Sequence, residues 1–151
     1  MPVLPPAALL DTSRLGWIPL APGLSFKPLA YFPDLSGWQL LLRLEPGTKI
    51  PRHRHTGEVH AFNLSGSRRL DTGEVVGPGV YVHEPAGHVD SWEAFGAEPC
   101  VIHIEVNGRN EYLDAEGRVI RVADARGSRQ DYLDWCAAEG VEPHPGLAGE
   151  A

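Results

Sequence analysis

The 151-residue chain has only two cysteines, no long apolar run and no block of basic residues. Cys100 and Cys136 lie far apart and lack C-x-x-C spacing, which excludes a disulfide framework and a zinc ribbon. Both thiols are therefore predicted to be reduced and buried. Because no apolar run is long enough to cross a bilayer, we expect no membrane segment.

Basic charge is also scarce, with 13 lysines and arginines against 20 aspartates and glutamates and a formal net charge of −7. This balance predicts that the chain does not bind nucleic acid. The opening residues, MPVLPPAALL, lack a basic n-region and a clean cleavage site. A secretory signal is therefore not expected, and the cytoplasm is the predicted compartment.

Glycine and proline, in contrast, are abundant, with 17 and 14 residues. Most of them lie between short apolar runs, where an all-β fold uses them in turns. The length fits one domain with its own core. We predict a set of short strands over residues 24–124 and an irregular arm over residues 1–23. Within the arm, residues 16–19 could form an edge strand or pack across a subunit boundary.

Only the C-terminal part, residues 125–142, is predicted to be helical. Ser128, with Asp131 three residues later, resembles a capping box at the start of a helix. Gly140 is a suitable C-terminal stop. Residues 143–151 are predicted to be a flexible tail. The fold class is therefore an all-β sandwich or barrel with one C-terminal helix.

The stretch from Gly47 to Gly66, GTKIPRHRHTGEVHAFNLSG, contains the residues best suited to bind a metal. Alternate side chains of a strand share a face, so His53 and His55 point the same way. Two neighbouring imidazoles can bind a transition metal through their neutral nitrogens. The alternative is a solvated strand, because arginines at positions 52 and 54 flank the pair.

Two later strands also carry polar residues at alternate positions. Residues 59–64 place His60 and Phe62 on one face, and residues 100–106 place His103 and Glu105 on one face. If these faces point into a barrel, Phe62, His103 and Glu105 line a substrate pocket. If they point outward, they form a hydrated outer surface.

Two sequence motifs resemble those of a known family. The stretch that contains His53 and His55 resembles the first conserved motif of the cupins, and GVYVHEPAGHVD resembles the second. Over residues 24–140 the chain is similar to one branch, the dihydroxyacetophenone dioxygenase-like cupins, which are relatives of the diketone-cleaving dioxygenases. The branch similarity includes LSFKPL, the combination of H-x-H-x-G-x-V-H with E-P-x-G, and VNGRNEYLDAEGRVI.

The resemblance implies a cupin jelly-roll barrel that holds one divalent transition metal. Fe(II) is the expected ion, with Zn, Mn or Ni as alternatives. His53 and His55 match the two histidine ligands of the first motif. Asp90 stands where the family has its third histidine, and two histidines with one carboxylate form the facial triad of non-haem Fe(II) oxygenases. Glu74 and His88 are alternative third ligands.

His60 occupies the position at which many cupins have a glutamate ligand, and the resemblance implies a catalytic role for it beside the metal. The implied activity is a dioxygenase that uses O₂ to cleave a carbon–carbon bond of a small hydroxy-ketone or β-diketone. The resemblance also implies a homo-oligomer, either a dimer or a tetramer.

Asp90 departs from the family pattern, and this departure leaves two other functions open. One is a non-catalytic cupin that acts as a binding or sensor module. The other is a Zn- or Mn-dependent lyase or isomerase without redox chemistry. Fe(II)-dependent O₂ uptake would indicate the dioxygenase. Ligand binding without turnover would indicate the binding or sensor module, and turnover under nitrogen would indicate the lyase or isomerase.

Overall fold

The computed structural model describes residues 7–149, so the first six residues of the predicted arm and the last two of the predicted tail lie outside the described residues. A short 3-10 helix, Thr12–Arg14, precedes the first strand. The strands are β1 (Ile18–Ala21), β2 (Leu24–Tyr31), β3 (Gly37–Leu44), β4 (Lys49–His55), β5 (Val59–Ser65), β6 (Ser67–Leu70), β7 (Val75–Val76), β8 (Tyr81–Glu84), β9 (Val89–Phe95), β10 (Cys100–Asn107), β11 (Asn110–Leu113) and β12 (Val119–Ala123). Two helices follow, α1 (Ala125–Glu139) and α2 (Pro145–Ala148).

Within the described residues the strands form two six-stranded antiparallel sheets. The first has the order β1-β2-β3-β10-β5-β8 and the second the order β12-β11-β4-β9-β6-β7. Strands distant in sequence are neighbours in both sheets, as in a jelly roll. The prediction of an all-β barrel with a C-terminal helix is confirmed. No helix in the described part of the chain is both long and apolar enough to span a membrane.

The core lies between the two sheets and follows the period-2 pattern of the strands. In β3 the alternate residues Leu40, Leu42 and Leu44 are buried. In β10 Cys100 and Ile102 on the same face are fully buried. These two strands pair along their whole length, from Cys100–Leu44 to Asn107–Gly37. The centre of the first sheet is thus a continuous apolar surface that faces the second sheet.

Gly66 links β5 to β6, and both its backbone conformation and its close neighbours require a residue without a side chain. Its φ is +65°, in the left-handed region that favours glycine. A Cβ at this position would collide with the carbonyl group of Pro99. The last glycine of the histidine-rich stretch therefore lets the chain pass from the first sheet to the second.

The N-cap of helix α1 is Asp124 and not Ser128, the residue at which the sequence resembles a capping box. The Asp124 carboxylate accepts a hydrogen bond from the Gly127 amide at 2.8 Å. Ser128 instead forms a hydrogen bond of 3.0 Å with the Tyr31 hydroxyl. Gly140 ends the helix in the left-handed conformation, as predicted.

The segment after α1 is not extended away from the barrel, although it was predicted to be flexible. It forms the short helix α2, whose Leu147 is 2% exposed and packs in the main core cluster. The His144 amide donates a hydrogen bond to the Tyr132 hydroxyl at 2.9 Å. One apolar side chain and one hydrogen bond thus connect the described part of this segment to the rest of the fold.

Candidate metal centre

The β4 strand presents two histidines to the space between the sheets. His53 is 3% exposed and His55 is 4% exposed, and their ring centroids are 4.7 Å apart. Arg54, between them, points the other way and pairs with Glu111 at 2.9 Å. The flanking arginines therefore lie on the opposite face, and the two imidazoles share the interior.

Hydrogen bonds on one side of each ring fix the orientation of both imidazoles. His53 donates from Nδ1 to the Pro51 carbonyl oxygen, and His55 donates from Nδ1 to Asn110 Oδ1, each at 2.7 Å. Both partner oxygens can only accept, so each Nδ1 carries a proton, and Nε2 is the nitrogen that would bind a metal. Metal-ligating histidines have this arrangement. Burial lowers the pKa of His53, which favours the neutral form that can bind a metal.

Two carboxylates face the histidines. Asp90 on β9 is paired with His53 across the strands and is 3% exposed. Its Oδ1 is buried without a hydrogen-bond partner among the described residues. Glu84, the last residue of β8, is 7% exposed, and its Oε2 lies 3.2 Å from His55 Nε2. A buried carboxylate oxygen without a partner is costly, and a bound cation would satisfy it.

The two acids are electrostatically coupled. Burial, together with the hydrogen bond to Glu84 and the charge of Glu84, raises the pKa of Asp90 to about 8. Burial also disfavours the charged form of Glu84, but hydrogen bonds to His55 and Asp90 outweigh it and lower the pKa of Glu84 to about 2. The pair therefore retains one proton at neutral pH, on the side of Asp90.

Arg68 supplies the buried positive charge of this region. It lies on β6, is 2% exposed, and its guanidinium stacks over the Trp92 ring at 4.6 Å. Its Nε and Nη2 atoms are buried without a partner among the described residues. Burial lowers the pKa of Arg68, whereas the nearby charges of Glu84 and Asp90 oppose this effect.

The polar cluster opens onto a cavity of about 780 Å³. His53, His55, Arg68 and Glu84 contribute to its wall. The rest of the wall is mostly apolar, and includes Phe26, Trp38, Leu40, Ile50, Val59 and Val106. A cavity of this size, with apolar walls and a few convergent polar groups, is suited to a small organic molecule.

Of the predicted metal ligands, Asp90 is paired with His53 across β4 and β9, and His55 lies beside Glu84. Among the described residues, the ligand atoms of Glu84, His88 and Asp90 lie within 4.8 Å of one another. The alternative ligand His88 belongs to the same cluster, since its Nε2 lies 3.6 Å from Glu84 Oε1, although 43% of its side chain is exposed. The alternative ligand Glu74 lies elsewhere. It is exposed in the turn between β6 and β7 and accepts a hydrogen bond from the Thr72 hydroxyl at 3.2 Å.

The four other predicted site residues lie on the outside of the first sheet. On β5 the residues that line the cavity are Val59 and Ala61, so the alternate side chains of His60 and Phe62 point outward. On β10 the residues that line it are Ile104 and Val106, so His103 and Glu105 also point outward. The expected catalytic role of His60 and the expected pocket of Phe62, His103 and Glu105 do not agree with this placement.

Three residues of the centre, Glu84, Arg68 and Asn110, were absent from the sequence-based prediction, and the first two of them are buried. Glu84 had a usable signal, because it directly precedes the P-x-G motif and is two residues before a turn that leads to Asp90. Arg68 had none, since Arg69 follows it and only the sheet register decides which arginine is buried. Asn110 follows a turn, and its contact with His55 depends on the pairing of β11 with β4.

The fold and the paired histidines of β4 are those of a cupin, and the comparison with known families identifies the domain family. The sequence matches the ChrR cupin-like domain over residues 6–108, so the chain belongs to this family. No curated protein matches the sequence significantly.

Two solved structures illustrate the similarity. An RmlC-like cupin protein from Ralstonia eutropha is 29% identical, with a TM-score of 0.85 and coverage of 92% of each chain. An acetylacetone dioxygenase from Acinetobacter johnsonii is 16% identical, with a TM-score of 0.77, 89% of this chain covered and 96% of that one. At this identity, the likeness to the second structure concerns the fold.

Proposed function

We propose that the chain is a metal-dependent cupin that binds one divalent transition metal through His53, His55 and Asp90. The observation that carries this proposal is the buried, partnerless Oδ1 of Asp90, on a residue paired across the strands with a histidine whose Nδ1 is already satisfied. Two imidazole nitrogens with carboxylate oxygen form a donor set that suits non-haem Fe(II), with Zn, Mn or Ni as alternatives.

We further propose that the activity is the dioxygenase cleavage of a carbon–carbon bond in a small hydroxy-ketone or β-diketone. When bound, Fe(II) would supply the redox chemistry with O₂. The cavity walls would exclude water and hold the carbon skeleton, because they are mostly apolar. The similarity in fold to an acetylacetone dioxygenase supports this class of substrate.

Two buried charged residues have roles in this proposal. Such a substrate loses a proton when it forms its enolate. Glu84 lines the cavity beside His55, and the coupled pair of Glu84 and Asp90, whose last proton titrates at about 8, would accept that proton through it. The Arg68 guanidinium has two nitrogens without partners among the described residues and would donate to the enolate oxygen. Glu84 thus takes the catalytic role that the resemblance implied for His60.

The test is metal content and O₂ uptake of protein purified anaerobically and supplied with Fe(II), with 2,4-pentanedione as the first substrate. Wild type should bind near one equivalent of iron in the cavity and consume O₂. Asp90→Ala should lose the iron and the activity. Glu74→Ala is the matched control, because Glu74 is an exposed acid outside the cluster, and it should behave as wild type.

Other outcomes would separate the alternatives. Iron retained by Asp90→Ala but lost in His88→Ala or Glu84→Gln would assign the third ligand to His88 or Glu84. Turnover under nitrogen with Zn or Mn would indicate a lyase or isomerase. Substrate binding without any turnover would indicate a binding or sensor module. Protein that binds no metal would contradict the proposal as a whole.

A further inference from the structure

A second group of metal-ligating side chains lies on the outer face of the first sheet, on the side away from the cavity. His60 on β5 and His83 on β8 are directly opposite each other in the antiparallel pair. Their ring centroids are 5.0 Å apart, with 28° between the ring planes. Both side chains are partly exposed, at 35% and 42%. Strand pairing, rather than flexible loops, therefore sets their separation.

A carboxylate completes the group. Glu58 lies two residues before His60 and reaches the same face. Its Oε1 lies 3.1 Å from His83 Nε2, and its Oε2 lies 4.0 Å from His60 Nε2. The three ligand atoms all lie within 4.8 Å of one another. Tetrahedral coordination at zinc–ligand distances of about 2.0–2.2 Å needs separations of about 3.4 Å, which rotation of these exposed side chains can provide.

The His60 ring also has an orienting partner. Its Nδ1 is hydrogen-bonded to the Tyr81 hydroxyl, and this leaves Nε2 directed toward Glu58. Ligating histidines commonly use their second nitrogen in this way, since the contact fixes the tautomer and the ring orientation. A surface ion pair between Glu58 and protonated histidines would need no such arrangement.

We propose that Glu58, His60 and His83 form a second binding site, for a divalent transition metal such as Zn²⁺, Cu²⁺ or Ni²⁺. The two imidazole nitrogens select these ions over Ca²⁺ and Mg²⁺, which prefer oxygen ligands. Three protein ligands on an exposed face leave at least one coordination position for water or for a group from another molecule. This site does not depend on the cavity centre, because none of its three residues lines the cavity.

The experiment is a calorimetric titration of the full chain, freed of metal by a chelator, with ZnCl₂ near pH 7.5. Wild type should bind two equivalents. His83→Ala and Glu58→Gln should each bind one, and Tyr81→Phe, which retains all three ligands, should weaken the outer site about tenfold. The matched control is His103→Ala, because His103 lies on the same outer face but outside the group, and it should bind two equivalents.

A second measurement identifies the ligands directly. The imidazole ¹⁵N resonances of His60 and His83 should shift as the outer site fills, whereas those of His53 and His55 report the cavity centre. One equivalent in wild type, with shifts confined to His53 and His55, would overturn the proposal. So would a titration of His83→Ala that superimposes on wild type. One equivalent with shifts at His60 and His83 alone would support the outer site and contradict the cavity centre.

Discussion

At the scale of single residues, the position of one proton distinguishes the two buried acids of the candidate metal centre. Glu84 and Asp90 face the same histidine pair, yet their pKa values are displaced in opposite directions, to about 2 and about 8. The difference arises because Glu84 accepts from His55 while Asp90 lies beside the charge of Glu84. A bound metal ion would replace the shared proton, so metal affinity and protonation of this pair oppose each other.

We predict that the metal-free protein loses stability as the pH rises from about 4.5 to about 8. In the unfolded chain both acids are ionised above their ordinary pKa values of 3.8 and 4.5. The folded pair still holds one proton, so the folded state binds more protons in this window. The free energy of unfolding should therefore fall with pH, by up to about 1.4 kcal/mol per pH unit.

Urea unfolding of wild type and of Asp90→Asn, both with a chelator, would measure this dependence. The variant cannot take up the shared proton, so the difference between the two proteins should change steadily between pH 4.5 and 8 and level off above pH 8. The lowered pKa of His53 also makes stability depend on pH. Because His53 is present in both proteins, its contribution cancels in the difference. A difference that is constant with pH would contradict the assignment of the proton to Asp90.

At the scale of secondary-structure elements, the strands could be predicted from sequence but their inner faces could not. In β10 the alternation of the sequence is present in the structure, and its apolar set is the inner one: Cys100, Ile102, Ile104 and Val106. In β5 the pattern is misleading, because the buried residues are small or polar and the exposed ones are large. Asn63 is 1% exposed, whereas Phe62 is 41% exposed.

The smaller residues of β5 face inward for a physical reason. Small inner residues such as Val59 and Ala61 leave room for the cavity, so the usual rule that large apolar side chains are buried does not identify the inner face. The histidine pair was predictable because its motif fixes both residues on one strand. Glu84 and Arg68 reach the centre from other strands, and their positions depend on a register that one sequence does not reveal.

For the C-terminal helix α2 we predict a measurable contribution to stability. Leu147→Ala removes a side chain that is 2% exposed and packs against the core cluster. The expected loss is about 2 kcal/mol, at the low end for a buried leucine, because a four-residue terminal helix can undock instead of leaving a cavity. Chemical denaturation would measure it. Val141→Ala, at a residue that is 44% exposed, is the control and should change stability by less than about 0.5 kcal/mol.

At the scale of the whole molecule, the edge strand β12 is the candidate surface for self-association. Three of its five residues are exposed and apolar: Val119 at 43%, Ile120 at 67% and Val122 at 46%. The strand ends one of the two sheets, so it presents unpaired backbone groups. The N-terminal edge strand β1 exposes Leu20 at 46%.

We therefore expect a dimer in solution that forms through β12. Light scattering coupled to size-exclusion chromatography should give twice the chain mass for wild type and the monomer mass for Ile120→Lys. Val141→Lys places the same charge on an exposed apolar residue outside the edge strands and should remain dimeric. A wild-type monomer would contradict the expected oligomer, and a dimeric Ile120→Lys would exclude β12 as its interface.

The contact between His55 and Asn110 also has a consequence for how the chain acquires its shape. The two residues are 55 positions apart, and β4 lies between β9 and β11 in the second sheet. Closing such long loops is entropically costly, and folds built from non-local strand pairs form slowly, over roughly milliseconds to seconds. During synthesis, β4 leaves the ribosome well before β9 and β11, its two neighbours in the second sheet. A metal ion bound through both rings in their final orientation would therefore be captured by the completed barrel and not by the nascent chain.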